Sequence, residues 1–257
     1  MRKHLIRALA AASCVALIAA ASALAAPEVV QVGNLVIRDN GGISPTRLPR
    51  NEQVPISANL NGMLRTTDGS HPPAATSLNV DFDKTIHINA KGLSACTESK
   101  LIAQSTVHAK RVCGDAIIGE GTGEVQVAFP EQNPIMAKGP IILFNGGVHG
   151  GKTLVLVHTY VSIPAPTAVV VSVELSHIHR GHFGTHMIAK IPKIAGGYGS
   201  VTKFRIKVGR KFTYKGKRES YLTASCPTGH YFTEGEVHFA DGTTIKLFHD
   251  LPCTPVG

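Results

Sequence analysis

The chain predicts an all-β fold: an antiparallel two-sheet sandwich, with a barrel-like closure of the same strands as the alternative. Three observations carry this. Period-two alternation or β-branched runs recur along most of the chain, turn residues punctuate them at short intervals, and only one stretch, 97–113, breaks the pattern. Side chains alternate across a sheet, so such a pattern makes one face apolar and the other wet. About ten or more short strands of this kind suit a sandwich or a barrel.

Val54, Ile56, Ala58 and Leu60 open the series. Leu78, Val80, Phe82, Ile86 and Ile88 then share one face, opposite Asn79, Asp81, Asp83, Thr85, His87 and Asn89; only Lys84 interrupts the apolar side. This reads as one half-buried strand. Val125, Val127 and Phe129 follow, and Ile141 to Phe144 is apolar on both faces, the mark of a strand covered on both sides. Pro164 and Pro166 separate the run ending at Val161 from the run starting at Ala168. Phe204, Ile206 and Val208 alternate with Lys203, Arg205 and Lys207, which predicts a strand with a basic outer face. Lys215-Gly216 and Asp241-Gly242 each lie between apolar alternations, and the second is a strong hairpin signal.

The exception, Thr97 to Cys113, is rich in Ala, Lys, Glu and Gln and reads as a helical insert. One straight helix of that length would hold its ends about 25 Å apart. A disulfide tolerates only about 4.4–6.8 Å between Cα atoms. Helix and bridge coexist only if the chain doubles back, with Ser105-Thr106 capping a second short helix.

The N-terminus reads as a secretion signal. Arg2, Lys3 and Arg7 precede the apolar run Ala8 to Ala21, and Ala23-Leu24-Ala25 supplies a small-x-small cleavage site. The run is too short for a membrane-spanning helix. Removing residues 1–25 from 257 leaves one β-rich domain over residues 26–257, with 23 basic residues against 17 acidic ones and a net charge of +6. That charge permits anionic partners, an envelope polymer or a membrane surface, without making the chain a polycation. Cys14 leaves with the leader. The remaining four, Cys96, Cys113, Cys226 and Cys253, read as two disulfides of an exported protein. Of three possible pairings the sequence-local one, Cys96–Cys113 and Cys226–Cys253, is expected. A tetrathiolate zinc site is disfavoured, because no pair has C-x-x-C spacing.

Several motifs bear on function. Gly146-Gly147-Val148-His149-Gly150-Gly151-Lys152-Thr153 satisfies the phosphate-loop pattern, but a helix must follow such a loop and Leu154 to Val161 is a strand sequence. No nucleotide site is expected. His177, His179 and His182 have the H-x-H-x-x-H spacing of metallo-β-lactamase-type hydrolases, yet Gly181 stands where that family places an Asp, and the chain lacks that family's helices. An unrelated zinc or copper site on these histidines, joined by His186, is the metal alternative. Without a carboxylate inside the cluster to act as base, catalysis is not expected. Ser200 lacks a nucleophile elbow, and Asp81 with Asp83 reads as a solvated strand face before it reads as a glycosidase pair. The basic run Lys203, Arg205, Lys207, Arg210, Lys211, Lys215, Lys217 and Arg218, interleaved with Phe204, Phe212 and Tyr214, reads as a hairpin with an electrostatic footprint for anionic material.

Several of these stretches resemble one family. They are Lys91 to Cys96, Cys113 to Gly121, Gly199-Ser200-Val201, Phe212 to Arg218, Ser220 to Pro227 and Phe239 to Gly242. Together they are similar to a family of uncharacterised secreted bacterial proteins. The resemblance implies an exported β-rich protein with a stapled insert and no established activity, so no catalytic residue carries over. The expected function is a non-catalytic envelope-interaction or structural module without a cofactor. A metal-binding protein or metal-dependent hydrolase centred on the histidines is the alternative.

Overall fold

A computed structural model of the protein describes residues 27–257. The secretion-signal reading, with Cys14, falls outside the described residues. Twelve strands join edge to edge: β1 (Glu28–Val32), β2 (Leu35–Ser44), β3 (Ser57–Thr66), β4 (Ala75–Asp83), β5 (Ile117–Val127), β6 (Ile135–His149), β7 (Lys152–Val161), β8 (Thr167–Arg180), β9 (Phe183–Lys190), β10 (Gly199–Val208), β11 (His230–Phe239) and β12 (Thr244–Pro252). They form one continuous antiparallel sheet in the order β1-β2-β3-β10-β5-β6-β7-β8-β9-β4-β11-β12. The sheet curls until β12 returns to β1, where the Phe248 N–H donates to the Glu28 carboxylate at 3.0 and 3.1 Å. Of the two all-β arrangements expected, the barrel-like one describes this sheet, which is nearly closed. Curling brings the two edge strands together, so that neither lies open along its length to other chains.

Alternation sets which side chains face inward. Ile141 and Leu143 of β6, Val155 of β7, Val173 and Leu175 of β8, and Phe204 and Ile206 of β10 share the inner core. Leu48, Ile56, Tyr221, Leu222 and Tyr231 pack into the same core. Leu222 belongs to a small three-stranded sheet of Val54–Pro55, Leu222–Ala224 and Ile86–Ile88, which Ile56 and Tyr221 flank. Near the seam, Leu35, Ile37, Leu64, Ile245 and Leu247 form a separate inner cluster.

The helical insert folds as the disulfide geometry requires. A short 3-10 turn (Glu98–Lys100) is followed by a reversal and then by helix α1 (Thr106–Cys113). Ser105 is the N-cap, its Oγ accepting from the His108 N–H. The Cys96–Cys113 bridge closes the insert with Cα atoms 5.6 Å apart. Leu101, Ala109 and Ala116 press onto the outward side chains Ile142, Phe144 and Leu156. The Ile141–Phe144 segment is therefore apolar on both faces because one face lines the core and the other lies under the insert. His158 is fully buried, its ring Nε2–H donating to the Gln104 carbonyl at 2.9 Å. Burial holds its pKa below the usual 6.5. The sign follows: above that value both folded and unfolded states are neutral here, and below it the unfolded state takes the proton first. Acidification below about pH 6.5 thus weakens the fold by up to about 1.4 kcal/mol per pH unit from this site. Urea titrations of wild type and His158→Gln at pH 8 and pH 5.5 check this, with the wild type losing ground to the variant only at the lower pH.

The second bridge, Cys226–Cys253, joins the three-residue strand Leu222–Ala224 to the end of β12, with Cα atoms 6.2 Å apart. Both expected pairings are present, and no metal-thiolate arrangement arises. Among the described residues no helix is long and apolar enough to cross a membrane.

One strand differs from expectation. The run from Leu78 to Asn89 breaks after Asp83, with β4 staying in the barrel and Ile86–Ile88 joining the small sheet. Asp83 causes the break: its Oδ1 accepts from Thr85 N–H (2.9 Å) and Oγ1–H (2.7 Å), and its Oδ2 accepts from the Phe232 N–H at 3.1 Å. A carboxylate saturated by the chain two residues on makes a turn, not a strand. Gly146 to Thr153 forms the end of β6, a turn and the start of β7, with His149 paired to Lys152. Gly150 and Gly151 take φ values of +57° and +80°, the left-handed pair that a two-residue hairpin turn needs. No helix follows, so the phosphate-loop geometry is absent here.

Candidate functional site

The basic face is built by register. Because Phe204, Ile206 and Val208 pack inward, Lys203, Arg205 and Lys207 of β10 point outward, and Arg205 and Lys207 are exposed. Neighbouring strands extend the rows. Arg38, Met63, Lys203, Glu124 and Lys138 are cross-strand partners in succession across β2, β3, β10, β5 and β6. Beside them run Asn40, Asn61, Arg205, Thr122 and Pro140, and then Asn59, Lys207 and Glu120. The acids on this face are engaged. Glu124 lies 3.4 Å from Lys138 and 3.7 Å from Lys203, and Glu120 pairs with Lys110 at 2.7 Å. Among the described residues Arg38, Arg205 and Lys207 have no carboxylate partner within 4.0 Å. The surface is thus a cationic strip with uncompensated charge at its centre.

The remaining basic residues lie elsewhere. Lys211, Lys215, Lys217 and Arg218 sit on a separate two-stranded hairpin, Lys211–Tyr214 with Lys217–Ser220. Arg210 lies between it and β10, donating to the Ile117 carbonyl at 3.3 Å. The 203–218 run is therefore one barrel strand plus a small hairpin, not a single hairpin. Gly209, at φ +151° and tight against Ser57, marks the point where the chain leaves the barrel. Sequence reasoning missed Arg38 and Lys138, because only strand order brings them into one cross-sheet row with Lys203, one strand removed from β10 on either side.

The histidines are dispersed. His177 and His179 meet edge to face with ring centroids 4.6 Å apart, whereas His182 leans on Phe232 at 5.0 Å. His186 turns away and bonds through Nδ1 to Asp81 at 2.5 Å. Asp81 also pairs with Arg180, which reaches Glu234 at 2.7 Å. With Asp81 in this network and Asp83 saturated in its turn, the two acids do not face a common point. Ser200 is fully buried and its hydroxyl donates to the Pro72 carbonyl at 2.6 Å, with a His71 ring nitrogen 3.2 Å from its Oγ and the other His71 ring nitrogen 3.2 Å from the Gln126 side-chain oxygen.

A cluster not anticipated from spacing lies at the seam. Glu28 and Asp39 are directly paired residues of β1 and β2, and His249 of β12 closes on them from the other edge. His249 Nε2 is 2.6 Å from Asp39 Oδ2 and 3.6 Å from Glu28 Oε2. The bond to Asp39 raises the His249 pKa above 6.5, against the opposing effect of burial. The imidazolium bridge is fully present below about pH 6.5 and is lost as pH rises through the raised value. The sequence signal was there: Glu28, Asp39 and His249 occupy inward phases otherwise held by Val30, Leu35, Ile37, Ile245 and Leu247. Among the described residues this is the group whose ligand atoms all lie within 4.8 Å of one another, and His177, His179 and His182 do not form such a group. Compared with known proteins, the chain matches no family model, no curated protein and no solved structure.

Proposed function

We propose that this chain is an exported, non-catalytic barrel protein that binds a phosphate-bearing polymer of the bacterial envelope. The binding surface is the outward strip of Arg38, Lys138, Lys203, Arg205 and Lys207. The observation that carries this reading is the alignment of Lys203, Arg205 and Lys207 on one strand face, with two further cations delivered by register from β2 and β6. Successive outward side chains on a strand stand about 6.8 Å apart, a spacing that lets neighbouring cations meet successive phosphates of a linear polymer. Asn59, Asn61 and Thr122 fill the gaps with hydrogen-bonding groups, and Met63 is the exposed apolar side chain in the row. A membrane-inserting surface needs a larger apolar area, which favours the polymer over a bilayer. Two disulfides and the resemblance to secreted bacterial proteins support export.

The test is retention on isolated cell envelopes of wild type and the triple variant Lys203→Glu/Arg205→Glu/Lys207→Glu. Each neutralised phosphate contributes about 0.7–0.9 to the salt exponent, so at about 0.15 M salt losing three contacts should weaken binding roughly 100-fold. All three side chains are outward and leave the core untouched. Equal retention of variant and wild type removes the proposal, and equal binding to vesicles of anionic lipid removes the polymer assignment.

A further inference from the structure

We infer that Glu28, Asp39 and His249 form a binding site for one divalent transition ion of the zinc class, clasping the first barrel strand to the last. The inference is independent of polyanion binding, which uses the opposite face of the sheet. Four features carry it. First, Glu28 and Asp39 are direct cross-strand partners, and like charges so placed are destabilising unless a cation sits between them. One imidazolium offsets only one of the two charges, whereas a divalent ion offsets both. No lysine or arginine among the described residues lies within 4.0 Å of either carboxylate.

Second, the ligand set is chemically mixed. One imidazole nitrogen and two carboxylate oxygens suit zinc and its neighbours, whereas calcium and magnesium take oxygen alone. Third, the distances fit. Ligands about 2.05 Å from a tetrahedral ion stand about 3.3 Å from one another. The observed 3.6 Å from His249 Nε2 to Glu28 and 2.6 Å from His249 Nε2 to Asp39 bracket that value, and all three ligand atoms lie within 4.8 Å of one another. Three protein ligands leave a fourth position for water. Fourth, the surroundings are prepared. Glu28 is oriented by the Phe248 N–H, which serves as an outer-shell donor. Asp39 Oδ1 is buried and has no hydrogen-bond partner, a cost that a bound ion or its water relieves. Because the three ligands come from β1, β2 and β12, a complete site exists only when the barrel is closed. Binding therefore stabilises the closed form by mass action.

The experiment uses protein purified without a histidine tag and stripped with chelator. It is titrated with zinc chloride by calorimetry and melted with and without saturating zinc. We expect one tight site per chain and a rise in melting temperature of about 5 °C. Both should be lost in Asp39→Asn and in His249→Gln, kept in His177→Ala/His179→Ala, and not reproduced by calcium at the same concentration. In the unaltered protein, zinc should shift the ring-nitrogen NMR signal of His249, so the test does not depend on the variants folding. The inference is overturned by the absence of a one-to-one site, by loss of binding in the His177/His179 variant, by an equal calcium effect, or by zinc shifts confined to other histidines.

Discussion

Removing the Cys226–Cys253 bridge by the double substitution Cys226→Ala/Cys253→Ala should lower the stability of the fold by about 3.5 kcal/mol. The bridge closes a segment with a sequence separation of 27, and loop-closure entropy for that length gives about this value. Alanine is the appropriate replacement, because Cys226 is 0% and Cys253 8% exposed and serine would bury hydroxyls without partners. The bridge ties the end of β12 to the small sheet that fills the barrel, so its loss frees the edge strand that must meet β1 at the seam. Urea denaturation of oxidised wild type and of the variant measures the difference. The Cys96→Ala/Cys113→Ala variant provides the contrast. Its separation of 17 predicts about 3 kcal/mol by the same entropy, but the loosening should be confined to the insert. Hydrogen exchange should then accelerate in residues 97–113 while β10, β11 and β12 keep their protection. A global loss of protection in the second variant, or none in the first, contradicts the assignment of the bridges.

Phe144→Ala should cost about 3–5 kcal/mol, the usual range for truncating a fully enclosed phenylalanine. Phe144 is 0% exposed and lies between β6 and the insert, among Leu101, Ala109, Ala116 and Leu156. The insert is pinned at its ends by the disulfide and cannot slide inward to fill the space, which favours the upper half of that range. For a domain of this size the fall in melting temperature is about 10 °C or more. A cost below about 1 kcal/mol would show that the insert collapses onto the sheet, and that the double covering of Ile141–Phe144 is looser than its burial indicates.

What was legible in the sequence is what depends on neighbours along the chain. Asp241-Gly242 turns between β11 and β12 because Gly242 takes φ +88° and the Asp241 carboxylate accepts from Thr243. The fate of the glycine-rich segment at 146–153 was decided by the strand sequence after it. Ser105 caps helix α1 because a bridge from Cys96 to Cys113 forces the chain to reverse. What escaped depends on partners far apart. Barrel and sandwich share the same alternation, and the difference lies in Glu28 meeting Phe248 and His249 across almost the whole chain. Leu78 to Asn89 alternates except at Lys84, but Asp83 found donors at Thr85 and Phe232 and ended the strand. The histidine spacing drew attention to His177, His179 and His182, yet tertiary packing sent His182 to Phe232 and His186 to Asp81. The seam cluster had a quieter mark, three polar residues at inward phases, that becomes informative only once the strands are known to meet.

The central claim is that the outward strip around β10 is where this protein meets its partner. The salt dependence of its affinity for a soluble polyphosphate tests that most directly. Plotting the logarithm of the binding constant against the logarithm of salt concentration should give a slope of about −3.5 to −4.5 for wild type, from five cation–phosphate contacts. For Lys203→Glu/Arg205→Glu/Lys207→Glu the slope should fall to about −1.5, from the two remaining contacts, or binding should vanish. Equal slopes and equal affinities for the two proteins would contradict the account.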